Sequence, residues 1–335
     1  MSEIFFIAEI GLNHNGDLDL ARRMIDAAQA AGASAAKFQS LRAEHLLARE
    51  AIATPIDGFG LKDVHTLGDF FRRVSLDEEF HYKIKTHCDA VDIEFMSTPF
   101  DFAAVSLLHT MGVKRIKIAS GDLTHYPLLE KAAQTGVPII LSTGGSTLEE
   151  IRDAVTFLRS AGCTALTLLH CVSLYPTPPH LANLGAITQL QQEFDLPIGF
   201  SDHTAGIHMS LAAMALGACV IERHFTIDRG LPGPDQKLSL EPDAFEQMVV
   251  EGKQIAQALR DNGKTVSEAE QAVIPHMRRS IVAAHDLSEG HNIEEIDLEY
   301  KRPGTGLSPR EWRGVIGSKL SVATPADGQI RKLRR

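Results

Sequence analysis

Two histidines, His203 and His224, stand in near-equivalent places, each just after a short apolar run, 197–200 and 219–221. Between the runs, 207–216 is a small-residue apolar segment long enough for about three helical turns. This spacing predicts a strand–helix–strand unit, because parallel strands need such a crossover. Parallel α/β folds gather functional groups at the carboxyl ends of their strands. Neighbouring strands lie about 4.8 Å apart, so imidazoles at two such ends can reach one divalent metal. The competing reading is a pair of hydrogen-bonded core or rim histidines, since buried polar groups are generally satisfied within the protein. Glu222 lies two residues before His224 and so points to the same side of the strand. A charge inside a strand is costly unless paired, which favours a polar site.

Lys37 and Lys117 lie inside the apolar runs AAKFQ and RIKIAS. Lysine is almost never fully buried without a partner. One such lysine can snorkel from a strand end; two on different strands point to an anion. Glu9 closes another apolar run, with Asn13 and His14 just after it. Gln39, Thr98, Ser120, Asp122, Ser142, Ser173, Tyr175 and Ser201 fall at comparable places, and Gly144 and Gly145 follow Ser142. Lysines, hydroxyls and glycine-rich turns are the ingredients of a phosphate and carboxylate site. With two imidazoles for a metal and one carboxylate, they suggest an enzyme acting on a small phosphorylated anion. Which anion, the pattern alone leaves open.

These residues need a frame that brings strand ends together. Strands are expected at 4–10, 34–39, 92–97, 114–119, 138–142, 165–171 and 197–201, with an eighth from 219. Helices are expected at 18–31, 77–91, 102–111, 127–134, 148–161, 184–194, 207–216 and 242–259. Asp17 can cap the first helix and Gly32 can stop it. The segment 40–74 is long, polar and glycine-containing, suited to covering a site or holding a small insertion. Eight strand-then-helix units over roughly 260 residues are the number and length of a (β/α)8 or TIM barrel. A doubly wound open sheet is the competitor, but no Gly-x-Gly-x-x-Gly opens the first helix. Beyond residue 260 the pattern changes to short strands and turns, including KRPGTGLSP. The expected layout is a barrel over 1–262, a linker over 263–279 and a small domain over 280–335. A module of about 60 residues is small enough to need a docking partner.

The chain has 335 residues, which suits one large domain plus a small one. Acidic residues outnumber basic ones, 43 to 33, and no long basic run exists, so nucleic acid and anionic membranes are not expected partners. The terminal RKLRR is read as a solvated tail. The opening MSEIFFIAEIGLNHNG has no basic n-region, and Glu9 interrupts its apolar run, so no signal peptide is expected. No uncharged apolar window of about 18 residues suggests a membrane span. Cys88, Cys163, Cys171 and Cys219 lack Cys-x-x-Cys spacing and read as reduced core residues of a cytoplasmic protein.

In chain order, AEIGLNHNG, AAKFQ, STPF, KIASGD, ILSTGG, HCVSLYPTP, GFSDHT, ERHFT, PGPD and KRPG resemble the motifs of the sialic acid synthases, a nonulosonic acid synthase family. The resemblance spans almost the whole chain. It implies a transferase that condenses phosphoenolpyruvate with an N-acetylhexosamine and water and releases phosphate. It also implies that the C-terminal module is an antifreeze-like (SAF) domain, swapped onto the partner's barrel in a homodimer. By the same resemblance, His203 and His224 would bind Mn²⁺, with Mg²⁺ or Co²⁺ as alternatives. Lys37, Thr98, Lys117, Ser120, Ser142, Ser173 and Ser201 would hold phosphoenolpyruvate. Gln39, Asp122, Tyr175 and Asp235 would contact the sugar, Arg302 would reach its N-acyl group from the other subunit, and Glu9 would be the acid/base group. Asp122 replaces a glutamate of some members, and Ser173 an asparagine. Both bear on the sugar, N-acetylmannosamine or a 6-deoxy diacetamido hexose; GPDQKLSLEP looks more like the legionaminic acid synthases.

Two other functions fit parts of this pattern. A metal-dependent hydrolase on the same barrel commonly carries His-x-His on its first strand, whereas this strand ends in Glu9 with only His14 nearby. A non-catalytic sugar-binding protein would not need the full set of strand-end polar groups.

Overall fold

The strands of the larger unit are β1 Phe5–Gly11, β2 Ala35–Ser40, β3 Glu94–Pro99, β4 Ile116–Ile118, β5 Ile139–Ser142, β6 Leu166–Cys171, β7 Ile198–Asp202 and β8 Val220–His224. All the pairings are parallel, in the order β3-β2-β1-β8-β7-β6-β5-β4, and β3 and β4 lie side by side to complete the ring. The expected TIM barrel is what the chain forms. The computed structural model describes residues 4–259, 263–331 and 333–334 and divides into two units, Met1–Arg260 and Asp261–Arg335. The expected boundary at 262 lies outside the described residues, as do Lys332 and Arg335 of the tail.

Helices follow the strands: α1 Leu18–Ala30, α2 Ala43–Leu46, α3 Arg49–Ile52, α4 Leu67–Val74, α5 Glu78–Ala90, α6 Phe102–Thr110, α7 Tyr126–Ala133, α8 Leu148–Ser160, α9 Gly185–Glu193, α10 His208–Ala215 and α11 Pro242–Ala258. Asp17 caps α1 by accepting from the amides of Asp19 and Leu20, and Gly32 leaves it at φ +82°. Among the described residues no helix is long and apolar enough to cross a membrane.

The barrel interior has two levels. Ile7, Ala35, Met96, Ile140, Leu169 and Val220 form an apolar plug. Two residues further along the chain, the same strand faces present Glu9, Lys37, Thr98, Ser142, Cys171 and Glu222. A strand alternates its faces with period two, so each strand that fills the plug also delivers a polar group to the level above. The residues between, such as Phe6, Ala8, Phe38, Leu141, Leu168 and Phe200, pack outward into the core under the helices. Fully burying one large side chain of this kind contributes about 1.5–3 kcal/mol. Gly199 is the small member of the plug. A Cβ there would lie 2.5 Å from a Leu169 methyl carbon and 2.5 Å from the Val220 carbonyl oxygen.

The covering segment is more structured than its polarity suggests. It holds α2, α3 and α4, the last with a Thr66–Asp69 capping box, around a small cluster of Leu12, Leu41, Val64, Phe70 and Val74. In the second unit, α12 Glu268–Met277 occupies most of the expected linker. Ser267 and Glu270 form a capping box that starts this helix. Strands β9 Ser280–Ala283 and β10 Leu298–Lys301 pair antiparallel over a core of Ile281, Leu287, Ile293, Val315, Leu320 and Ile330.

Candidate active site

The polar level of the barrel opens into a cavity of about 350 Å³ at the carboxyl ends of the strands. Its floor is a network of four buried charges. Lys37 Nζ lies 2.6 Å from Glu9 Oε2 and 3.6 Å from Glu222 Oε2, and it donates to Thr98 Oγ1 at 3.3 Å. Lys117 Nζ lies 3.7 Å from Glu222 Oε1, which also accepts from Ser201 Oγ at 2.9 Å. Gln39 Nε2 donates to Glu9 Oε1 at 3.0 Å.

These partners set the protonation. Burial by itself would raise Glu222, but the ammonium groups of Lys117 and Lys37 and the Ser201 hydroxyl outweigh it and bring the carboxyl to about 2. Burial wins at Glu9, which rises to about 7 against the attraction of Lys37. Burial also pulls Lys117 down, whereas Glu222 and Glu9 outweigh it at Lys37 and hold that ammonium above its ordinary value.

Beside the floor is a small cradle. Ser120 Oγ accepts from the Gly144 amide at 2.9 Å. A Cβ on Gly144 would lie 2.4 Å from Ser173 Oγ and 2.9 Å from Ser120 Oγ, so hydroxyls converge on bare backbone. Ser142 Oγ is buried nearby with no hydrogen-bond partner. Hydroxyls, an amide and two ammonium groups suit an oxyanion.

The histidines stand at the rim, with ring centroids 5.4 Å apart. Strand β7 carries Ser201 inward, and His203 follows its end; β8 ends at His224. The Val172 carbonyl can only accept, so His203 Nδ1–H donates to it at 2.9 Å and Nε2 keeps its lone pair. His224 Nδ1 is buried without a hydrogen-bond partner, 3.7 Å from Asp235 Oδ2. Burial pulls His203 down to about 4, helped by His224, and also lowers His224. Two neutral imidazoles, one with an orphaned nitrogen, fit a metal. They supply only part of a coordination shell, and among the described residues no group of three or more His, Cys, Asp or Glu side chains could hold an ion alone. A metal here would keep open positions. The Tyr175 ring lies 4.1 Å from the His203 ring and 6.0 Å from that of His224, on the open side.

The cavity brings together Glu9, Lys37, Gln39, Thr98, Lys117, Ser120, Ser142, Ser173, Tyr175, Ser201, His203, His224 and Asp235. Asp122 does not line it; it ends the Ser120–Asp122 turn, half-buried, and burial raises its carboxyl. Arg302 belongs to the second unit. Two features were not foreseen. Glu222, read only as the sign of a polar site, contacts both lysines. Leu46, Phe71 and Phe100 give the cavity an apolar wall.

Residues 24–264 match the NeuB family, and residues 278–334 match the SAF domain. The chain is 40% identical over 334 residues to the N,N'-diacetyllegionaminic acid synthase of Campylobacter jejuni, covering 99% of this chain and 100% of that one. It is 34% identical to the human N-acetylneuraminate-9-phosphate synthase, covering 97% and 91%. The crystal structure of the N-acetylneuraminic acid synthetase of Leptospira borgpetersenii is similar, with 37% identity, a TM-score of 0.72 and coverage of 82% and 90%. A barrel with this mouth, matched to relatives along nearly its whole length, makes the chain a synthase of the NeuB family with a C-terminal SAF domain.

Proposed function

We propose that the chain condenses phosphoenolpyruvate with the open-chain form of an N-acylated hexosamine and water, giving a nonulosonic acid and free phosphate. The observation that carries this reading is that two buried lysines, a hydroxyl cradle and two imidazoles line one cavity at the barrel mouth. In this reading Lys37, Thr98 and Lys117 grip the substrate anion, and Ser120, Ser142, Ser173 and Ser201 take the remaining oxygens. A divalent ion such as Mn²⁺, held by His203 and His224, would supply Lewis-acid polarisation of the sugar aldehyde. Gln39, Tyr175 and Asp235 hold the acceptor sugar above the anion, so the two reacting carbons are oriented before they react.

The enol electron pair forms the new bond from carbon 3 of phosphoenolpyruvate to the aldehyde carbon, and the aldehyde oxygen becomes a hydroxyl. Water adds to carbon 2 and gives up a proton. The bond from carbon 2 to the phosphate oxygen then breaks; phosphate leaves with that electron pair and takes up the proton that the carbon 2 hydroxyl loses as it becomes the keto oxygen. Glu9, raised to about 7 by burial, is the group able to take and return a proton near neutrality. Arg302, on the SAF domain, would complete the sugar site of the other subunit in a homodimer.

The acceptor reading that best suits the wall of Leu46, Phe71 and Phe100 is a 6-deoxy diacetamido hexose, whose methyl and acetamido groups are less polar than the hydroxyls of N-acetylmannosamine. The 40% identical relative bears the name of a synthase of this class. The test is a panel of N-acylated hexosamines with phosphoenolpyruvate and Mn²⁺, with products read by mass. Phosphate release that depends on one hexosamine is expected, with a product of the mass of hexosamine, phosphoenolpyruvate and water together less phosphoric acid. Phosphate release without any hexosamine would overturn the condensation.

A further inference from the structure

The hydrogen-bonded ladder between β7 and β8 ends, among the described residues, at the pair Asp202 and Arg223. His203 and His224 come immediately after these two residues. The sheet therefore stops fixing the two strands against each other one residue before the imidazoles.

A buried ion pair continues the connection. Arg223 and Asp202 are each 1% exposed. Their side chains point to the opposite face from the histidines, as the strand period requires, and meet with Arg223 Nη1 2.5 Å from Asp202 Oδ2. Asp202 Oδ2 also accepts from Ser210 Oγ on α10 at 2.6 Å, which braces the pair against the helical layer. Arg223 Nη2 reaches past His203 and donates to the Thr204 carbonyl at 2.8 Å, while Asp202 Oδ1 accepts from the Thr204 amide at 2.8 Å. His203 is thus bracketed on both sides by groups tied to the residue just before His224.

We infer that the Asp202–Arg223 pair is a strut that sets the separation of His203 and His224, and with it the affinity of the barrel mouth for a divalent cation. Neither residue touches the cavity, so both are positioning residues. The inference rests on the reading of the imidazole pair as a metal site. A bidentate site needs its two nitrogens at a fixed separation, because a metal tolerates little error in ligand distance. A buried ion pair is often no more stabilising than apolar residues of similar volume. Arg223 Nη1 meets Asp202 as a charge contact and makes no hydrogen bond; the directional ties, which an apolar pair does not provide, are those of Arg223 Nη2 and Asp202 Oδ1 to Thr204 and of Ser210 Oγ to Asp202.

The test is Mn²⁺ binding to the full chain, followed by the paramagnetic resonance of the free ion, in wild type, His203→Ala, the double variant Asp202→Leu/Arg223→Met, and Arg223→Lys. The double variant replaces both charges together and leaves no lone buried ion. Arg223→Lys keeps the charge but loses the Nη2–H that donates to the Thr204 carbonyl. Wild type should bind Mn²⁺, and His203→Ala should lose it. Either strut variant, folded by circular dichroism, should bind at least about tenfold more weakly. Thermal stabilisation by phosphoenolpyruvate, which reads the lysine floor, should persist in both. A folded strut variant with wild-type Mn²⁺ affinity overturns the strut while leaving the metal reading intact. Wild type that fails to bind Mn²⁺, or His203→Ala that binds it as wild type does, overturns the metal reading and the strut together.

Discussion

Glu9 and Lys37 are direct register partners on neighbouring strands, and their side chains meet inside the barrel at 2.6 Å. Each is buried, and each has a further partner in Gln39 or Glu222. Lys37→Met would leave two buried carboxylates without that ammonium, and on the proposed function it would also remove a charge-assisted contact to the substrate of about 1.5–3 kcal/mol. The expected outcome is a rise in the KM for phosphoenolpyruvate of roughly ten- to a hundredfold, with a smaller change for the sugar. Lys117→Met should act in the same direction. Unchanged steady-state KM values for phosphoenolpyruvate in both variants would contradict the anion site.

Glu9→Gln keeps the shape of the side chain and removes its ionisation. The pH profile of kcat/KM should carry an inflexion near 7 in wild type, where burial places this carboxyl, and should lose it in the variant. A profile in which the inflexion survives would assign it to another group.

For the imidazole pair, His203→Ala and His224→Ala should each abolish both turnover and its dependence on added Mn²⁺. The measurement is activity against Mn²⁺ concentration after treatment with chelator. Full turnover of either variant in chelator would remove the histidines from the metal.

Acid should weaken the fold through a residue outside this chemistry. His14 is fully buried between the rings of Phe38 and Phe80; its Nδ1 accepts from the Gly16 amide at 2.9 Å, and its Nε2 has no hydrogen-bond partner. Burial pulls its pKa from 6.5 down to about 4, so the unfolded chain binds the proton first as pH falls. The stabilisation is therefore complete above 6.5, is lost between 6.5 and about 4, and declines no further below that on account of this group. The slope from one such residue is at most about 1.4 kcal/mol per pH unit. His81, also lowered by burial, acts in the same sense. Urea midpoints measured across this range should show the decline, and His14→Gln should be less stable at pH 7 yet show a shallower slope. An equal slope in the variant would place the acid sensitivity elsewhere.

The proposal that Arg302 completes the other subunit's site is open to complementation. Mixing Arg302→Ala chains with His203→Ala chains under conditions that exchange subunits should restore part of the activity, because one site in each mixed dimer has both residues. Inactivity with mixed dimers shown to form would place the arginine in its own chain's site.

The barrel was legible because its strands are buried on both faces and read as continuous apolar runs, each followed by a helical stretch. The strand-end residues were legible for the same reason: a lysine in RIKIAS is conspicuous only in an apolar strand. The small helices α2 to α4 were not, since four-residue turns such as Ala43–Leu46 owe their form to packing around Phe70 and Val74 rather than to their own periodicity. Helix α12 is hidden in the sequence because it begins within 261–271, a polar stretch that reads as a connector, and Pro275 lies inside it. The part played by Glu222 depends on the distance to Lys117 across the barrel, from β8 to β4, which no local pattern encodes. The role of Arg223 depends on Asp202 and Thr204 across the β7–β8 edge, which no local pattern encodes.

The step from plug to polar level, two residues along each strand, has an evolutionary consequence. One level keeps the ring closed and the next chooses what enters it, so inheritance can treat them as separate pages. On the proposed function, a lineage could reshape the apolar wall at Leu46 or Phe71 and acquire a new acceptor sugar while Ile7, Met96 and Leu169 go on holding the same scaffold. Gly199 marks where that freedom stops: a methyl added there would collide with the plug, in the strand that leads to His203.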